Sequence, residues 1–434
     1  MTAPSSGPRD DHPRSGSHGA FDPVDTIVIG AGPAGAAAAI RLATAGCRVT
    51  LVERRTMPRM KTCGDALTPR AVHELTTMGV GDAALATFHC VSHVRLTGRS
   101  KHVEVEWPSH PVFPPYGLVA RRDRLDELVA ARAVAAGAIL LDGYEAIAPI
   151  VDRGFVRGVV VRQPDGSPTE MRARYLVVAD GANSRFGRAL GTSRERTWPY
   201  ATAIRNYFDS PLHDAPAIEL TVDLTDRNDT PITGYGWVFP LGDGTVNVGT
   251  GVVSTARNFK AINTTHLLER FAIDIAERWQ FDPGAPLGAP ASGRVPLGGS
   301  VGPAAGPTWL VIGDAAGSAN PFVGAGIEYA YETGRIAGDV LVEALRDNSA
   351  TVLQRYPAML DDAYGTYFKI GRLFDRFAGR PALMNRLSRT VTKRRSLAGH
   401  VVRVATNELR PNSAGAPELA FRLAGAISRV APRA

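Results

Sequence analysis

Thr26 to Ile29, a short β-branched run, passes directly into Gly30, Ala31, Gly32, Pro33, Ala34 and Gly35. An alanine-rich stretch follows to Ala45, Gly46 interrupts it, and a second apolar run, Arg48 to Val52, ends on Glu53. The order predicts strand, tight turn, helix, strand and acid. No other stretch of the 434 residues constrains the fold as strongly.

Each piece has a chemical reason. Gly30 permits the turn, Gly32 lets a pyrophosphate approach the backbone, and Gly35 brings the helix close to the sheet. The helix N-terminus adds free N–H groups and a partial positive charge. Glu53, about twenty residues on, can accept the hydroxyls of an adenosine ribose, and an acid here opposes a 2′-phosphate. The unit therefore predicts a bound dinucleotide, FAD or NAD rather than NADP. The fold class is α/β, a Rossmann-type domain joined to other elements.

The length suggests two intimately connected domains. No run approaches eighteen uninterrupted apolar residues, so no transmembrane helix is expected. Residues 1–24 read as a disordered leader, because the segment is polar, rich in Ser, Gly and Pro, and has no apolar signal core. Cys47, Cys63 and Cys90 are too few and too scattered for a disulfide framework or a metal site. They fit a reducing cytoplasm, with Cys47 and Cys90 as small buried hydrophobes. From Thr366 onward there are 14 Lys and Arg against 3 acids, more than the whole net excess of +7. The body is slightly acidic, and nothing in the chain points to nucleic acid.

Residues 25–197 and 294–345 are expected to form one discontinuous domain with a small β insertion. The loop Lys61–Asp65, KTCGD, precedes a helix capped by Thr68 with Pro69 at its first position, and lies where it can reach back over a cofactor. Strands are expected in Val91 to Trp107, and an amphipathic helix after Val119 carries Arg122 near its start. Ile139 to Ile150, Val156 to Arg162 and Glu170 to Arg174 read as a β-meander, and Asp180 and Gly181 end the next apolar strand. From residue 198 to 293 the periodicity is two, predicting an antiparallel substrate domain with a helix from Thr264 to Trp279. A strand, Trp309 to Ile312, then runs into Gly313 and Asp314, a glycine-rich turn and a helix starting near Gly326. Residues 346–434 form a basic helical segment.

Three separated segments, Gly30 to Gly35 with Glu53, Asp180 with Gly181, and Gly313 with Asp314, together resemble the flavoprotein group of aromatic hydroxylases, flavin halogenases and geranylgeranyl reductases. KTCGDALTPRAV, Lys61 to Val72, and GYGWVFPLGDGTVNVGTG, Gly234 to Gly251, are similar to geranylgeranyl reductases, in the branch that reduces the menaquinone side chain. The resemblance implies FAD. It implies cofactor contacts from the Gly30–Gly35 turn, Glu53, Arg54 and the loop residues Cys63, Gly64, Asp65 and Ala66. Further contacts are expected from Arg122, Ala146, Asp180, Gly181, Asp314, Gly324, Gly326 and Ile327. An acid is expected where Ala325 stands.

It also implies saturation of a double bond in a polyprenyl chain. Hydride leaves the reduced flavin for one carbon and a proton reaches the other. Cys63 and Asp65 are the candidates for the proton, and Tyr235, Trp237 and Phe239 for the walls of a tunnel, with core packing as the alternative for the three aromatics. Geranylgeranyl lipids are the alternative substrate. GYGWVFP also resembles the G-W-x-W-x-I-P of halogenases, with Tyr235 in place of the first tryptophan, and a prenyl-binding escort is the non-enzymatic reading. No second dinucleotide fingerprint exists, so electrons come from a transiently bound NAD(P)H or a separate donor protein. Such a substrate places the protein in the cytoplasm, peripheral on the inner face of the cell membrane. Residues Tyr364 to Val391 supply interspersed basic and apolar side chains for this contact, divided by Pro381. A helical cap on the substrate domain has the same periodicity.

Overall fold

A computed structural model describes residues 21–62, 64–98, 101–256, 258–379, 381–410 and 413–430. Cys63, Arg380 and nearly all of the leader expected at 1–24 lie outside the described residues.

The opening unit is a strand Val24–Ile29, a helix Pro33–Thr44 and a strand Val49–Glu53, the two strands parallel and adjacent. Gly30 has φ +104°, where side chains are strained. A Cβ on Gly35 would stand 1.8 Å from the Gly30 carbonyl oxygen, so helix and turn can close only over a glycine. The near-absence of large side chains in the first helix has a packing cause. Gly334 of the long helix Ile327–Arg346 sits directly on Ala34, Ala37 and Ala38, which brings the two backbones together.

These strands belong to a seven-stranded sheet centred on one long strand, Pro168–Val178. Its first half pairs antiparallel with Phe155–Arg162, and its second half pairs parallel with Val24–Ile29 on one side and Trp309–Val311 on the other. The burial pattern changes with the pairing: alternate residues are exposed in the antiparallel half, whereas Tyr175 to Val178 are all buried. That is the difference between a sheet with one wet face and one covered on both. The separate strands expected on either side of Arg174 are thus one.

A second seven-stranded sheet runs Ala291–Pro296, Tyr200–Asp209, Thr245–Val253, Gly234–Pro240, Ala217–Thr221, His93–Gly98 and Lys101–Glu106. The last two were expected within the first domain. Instead His93–Gly98 pairs in parallel with Ala217–Thr221, extending the second sheet by two strands. The helix Thr264–Trp279 covers one face through Leu267, Phe271, Ile275 and Trp279, which pack against Val238, Val246 and Val248. The opposite face carries Tyr235, Trp237 and Phe239 at alternate positions of a single strand.

The C-terminal segment is helical, with Thr366–Ala378 and Pro381–Val391 separated before Pro381, followed by Arg395–Ala405 and Ala416–Val430. Val391, Ala398 and Val402 share a core with Leu96, Ile218 and Trp237, so this segment covers the outer strands of the second sheet. Among the described residues no helix is long and apolar enough to cross a membrane, and no cluster could hold a metal ion. Cys47 is partly buried, whereas Cys90 is exposed, contrary to expectation. The short strand His89–Val91 has only one covered face, and Cys90 lies between partly buried His89 and buried Val91, on the other.

Candidate active site

A cavity of about 1390 Å³ runs between the two sheets and continues beneath the C-terminal helices. It is larger than a drug-sized pocket of roughly 300–1,000 Å³, and its two ends differ in chemistry.

The polar end is built on the opening unit. Gly30, Gly32, Pro33 and Ala34 line it with Glu53, Arg54, Arg122 and Ala146. Asp180, Gly181, Asp314, Gly324, Gly326 and Ile327 line it as well. Ala31 and Gly35 do not. Ala31 acts through its backbone, its N–H donating to Glu53 Oε2 at 3.1 Å, and Gly35 through the close packing already described. Glu53 is thereby aimed along the turn at the position from which a ribose would be held.

Arg122 does not stand free. Its guanidinium donates to both carboxylate oxygens of Asp126 one turn on, in three hydrogen bonds of 2.9 to 3.0 Å, and Asp126 also accepts from Arg59 at 3.0 Å. Arg59 in turn pairs with Glu53 at 3.1 Å. The result is a buried chain, Glu53, Arg59, Asp126 and Arg122, along the floor of the cavity. Arg59 escaped the sequence reading because a single arginine in a loop has no periodic signal. Its Nε is buried without a partner, and its Nη2 would be 3.6 Å from a Cβ on Gly32. The Arg59 guanidinium thus brings positive charge to the approach over Gly32, where a pyrophosphate would lie.

Asp180 accepts from the Phe186 N–H at 3.1 Å, while its Oδ1 has no partner. Burial pushes its carboxyl up, against the lowering influence of Ser184 and the nearby backbone N–H groups. Asp314 sits opposite, 3.4 Å from Lys61 Nζ. Lys61 belongs to the KTCGD segment but had no role assigned to it. The helix Ile327–Arg346 begins immediately behind, with Gly326 as its cap. These groups suit the ribityl chain and polar edge of a flavin, a carboxylate and a lysine for hydroxyls and a helix N-terminus for negative charge.

The loop closes over this end, but not as expected. Gly64 and Ala66 line the cavity, and a Cβ on Gly64 would be 2.9 Å from the Phe239 ring, so the loop lies against the aromatic strand. Asp65 points the other way and does not line the cavity. It is fully buried, its Oδ2 accepting from Tyr207 Oη at 2.8 Å and from Asn247 Nδ2 at 2.7 Å. Burial raises its pKa, opposed by those hydrogen bonds and by the charges of Arg205 and Arg122. Tyr207 is sandwiched between Arg121 and Arg205, each 4.3 Å from the ring centroid. Its hydroxyl is pushed well above its ordinary value by burial and then by Asp65. Asp65 therefore anchors the loop to the second sheet and does not face the cavity, where contact with cofactor or reacting carbon was expected of it.

Tyr235, Trp237 and Phe239 form a ladder of rings with centroids 5.8 and 5.9 Å apart. Trp237 Nε1 donates to Asn247 Oδ1 at 2.9 Å, and the Tyr235 hydroxyl to the Val323 carbonyl at 2.5 Å. Both polar tips are satisfied, and the three residues line the cavity while also packing into the core of the second sheet.

Beyond the ladder the cavity becomes apolar. Val94, Leu96, Ile218 and Leu220 line it from the outer strands; Phe374, Met384, Leu397 and Val401 line it from the C-terminal helices. Part of the surface assigned by sequence to membrane contact thus faces inward. Phe368 packs on Tyr329 and Tyr364, and Arg372 donates to the Gly298 carbonyl and lies 3.8 Å from the Trp198 ring centroid.

Residues 23–231 match a family model described as an FAD binding domain. The menaquinone reductase of Mycobacterium tuberculosis (strain ATCC 25618 / H37Rv) is 36% identical over 412 residues, 95% of this chain and 98% of the relative. Digeranylgeranylglycerophospholipid reductase 1 of Methanopyrus kandleri is 32% identical over 80% of this chain and 88% of its own. Among solved structures, a geranylgeranyl bacteriochlorophyll reductase-like protein from Thermoplasma acidophilum superposes with a TM-score of 0.76 at 22% identity, covering 93% of this chain and 99% of that one.

Proposed function

Because the chain belongs to the geranylgeranyl reductase family of FAD-binding proteins, in the branch of the menaquinone reductases, we propose that it saturates one isoprene double bond of the menaquinone side chain, with FAD as cofactor. The observation that carries this reading is the continuous apolar arm leading away from the flavin end of the cavity. A polyprenyl chain is long, flexible and uncharged. A groove of Val, Leu and Ile side chains, closed by helices, is the surface that removes it from water.

Bound FAD supplies the hydride. The protein's part is to hold and to exclude. The Gly30–Gly35 turn, Arg59 and Arg122 would hold the pyrophosphate, and Glu53 the adenosine ribose. Asp314 and Lys61 would take the ribityl hydroxyls, and the N-terminus of Ile327–Arg346 would favour negative charge on the flavin. The ring ladder and Gly64 exclude water around an alkene that no carbonyl activates. Electrons reach the flavin from transiently bound NAD(P)H or a separate donor protein.

The protein works at a membrane surface, where its substrate resides. Ala416 and Ala420 line the cavity yet are exposed, and Leu419 and Leu423 beside them are exposed as well, so the arm opens next to an apolar strip of helix Ala416–Val430. Mass spectrometry of quinones from cells lacking and regaining the gene tests the substrate. The expected result is a two-hydrogen deficit in menaquinone on loss and its recovery on return. An unchanged menaquinone with a shift in geranylgeranyl lipid tails overturns the assignment in favour of those lipids.

A further inference from the structure

The reaction proposed above needs a proton as well as a hydride, and Asp65 is turned away from the cavity with both hydrogen bonds to its Oδ2. We infer that Asp375 is the general acid: its carboxyl, carried on helix Thr366–Ala378 into the apolar wall of the cavity, protonates the second carbon of the double bond. This rests on the polyprenyl-reductase reading and assigns the one chemical role that reading leaves unfilled.

Asp375 lines the cavity, is 2% exposed, and among the described residues its Oδ2 has no hydrogen-bond partner. The helix is seated so as to fix it there. Thr255 Oγ1 donates to the Asp375 carbonyl at 2.7 Å, Gly371 packs against Pro321, and the Phe374 ring is 5.3 Å from that of Phe322. The helix that carries Asp375 is therefore held against the Pro321–Ile327 turn, the same turn to which Tyr235 is hydrogen-bonded through Val323. An unpartnered acid at such a place weakens the fold, since burial without an acceptor costs free energy that a leucine would not incur.

The charged and titratable groups around it are otherwise engaged. On its own helix Arg372 is turned to Gly298 and Trp198, and Arg376 is exposed. Arg386 on the next helix is exposed, Arg294 across the cavity lies over the Tyr200 ring, and the Tyr235 hydroxyl is spent on Val323. Among the described residues burial is the cause that acts on the carboxyl, and it pushes it up to about 8, so it is a neutral acid at pH 7.

The step balances. Hydride passes from reduced FAD to one alkene carbon and the Asp375 O–H proton to the other. The π bond breaks, two C–H bonds form, the alkene gains two electrons and the flavin loses them. The carboxylate left behind recovers its proton from the one released as the flavin is oxidised.

The test uses the FAD-loaded protein, reduced anaerobically with dithionite and mixed with menaquinone in D2O. The wild type is expected to give a reduced chain with two deuteriums, because the flavin N–H and the Asp375 O–H both exchange with D2O, at a rate that falls tenfold per pH unit above about pH 8. Asp375→Asn is expected to retain FAD and slow the step about 100-fold, and Asp375→Glu to restore part of the rate with a shifted pH limb. Separately, on the protein without FAD, the wild-type melting temperature should fall relative to Asp375→Asn as pH rises from 5 to 8. The folded state holds a proton that the unfolded state has released. A wild-type rate in Asp375→Asn, or a wild-type profile flat to pH 10, overturns the assignment while leaving the reductase reading intact. A wild-type protein that reduces no polyprenyl chain overturns both.

Discussion

The two ends of the cavity hold their occupants by opposite means. At the dinucleotide end directional contacts hold the site, some between near neighbours in sequence, Arg122 to Asp126 and Asp180 to Phe186 N–H, and others across it, Ala31 N–H to Glu53 and Lys61 to Asp314. At the apolar end nothing is local. Leu96, Leu220 and Val401 meet there from three separate parts of the chain. A phosphate is recognised by direction, so its site needs a fixed backbone; a prenyl chain is recognised by area, and any arrangement of aliphatic side chains that excludes water suffices.

The largest expected effect tests how rigid the first end is. Gly35→Ala places a methyl 1.8 Å from the Gly30 oxygen, whereas at Gly32 the nearest atom is the movable Arg59 Nη2 at 3.6 Å. Gly35→Ala should cost at least about 3 kcal/mol and abolish FAD binding. Gly32→Ala should melt within about 1 kcal/mol of wild type yet bind FAD less tightly, because its methyl occupies the approach of the pyrophosphate. Thermal melts and flavin absorbance measure both, and equal behaviour of the two variants would remove the distinction drawn between them.

Arg122→Ala and Asp314→Ala sharpen it further. Removing Arg122 leaves buried Asp126 with Arg59 alone, so stability should fall by roughly 3 kcal/mol along with FAD affinity. Asp314→Ala frees only Lys61, a third exposed, and should leave the melting temperature nearly unchanged while weakening FAD about 10- to 100-fold. Full flavin occupancy in Asp314→Ala would show that the ribityl chain lies elsewhere.

This contrast also accounts for what could be read from the sequence. The opening unit, the capped helix at Thr68 and Pro69, the strand ends at Asp180 and Asp314, and the break before Pro381 all depend on neighbours within a few residues. The turning of Asp65 away from the cavity was not legible, because its partners, Tyr207 and Asn247, are 142 and 182 residues away. The pairing of His93–Gly98 with Ala217–Thr221 likewise has no local signature. In the C-terminal segment, an amphipathic helix shows which face is apolar but not whether protein or lipid covers it. Phe368 faces protein and Phe374 the cavity, while Leu423 faces solvent.

At the apolar end a single side chain should have a smaller, separable effect. Val401→Trp, on helix Arg395–Ala405, narrows the arm from the helical side. Overpacking should cost about 1–3 kcal/mol of stability. FAD content should be that of the wild type, while KM for a long prenyl chain rises about 10-fold and that for a chain of two isoprene units hardly moves. An equal loss for both lengths would mean that the chain does not run past Val401.

The smallest effects belong to the mouth. Ala416, Leu419, Ala420 and Leu423 fall at helical spacing on one face of Ala416–Val430, with Leu419 48% and Leu423 66% exposed. Arg386, Arg389, Lys393 and Arg394 are exposed on the helix Pro381–Val391 and the turn after it. Arg372, tied to Gly298 and Trp198, is not part of this surface. Apolar contact and charge then make different predictions. Flotation with phosphatidylglycerol vesicles should occur at low salt and weaken at high salt, as screening removes the roughly 1 kcal/mol that each cation contributes. Reversing Arg386 and Arg389 to Glu should abolish the salt-sensitive part. Leu419→Ser with Leu423→Ser should instead weaken binding at every salt concentration, by about 1.5 kcal/mol or more for each leucine that enters the lipid. A protein that stays folded and yellow but floats with no anionic vesicle would leave the arm opening into water, and its substrate would then have to be delivered by a carrier.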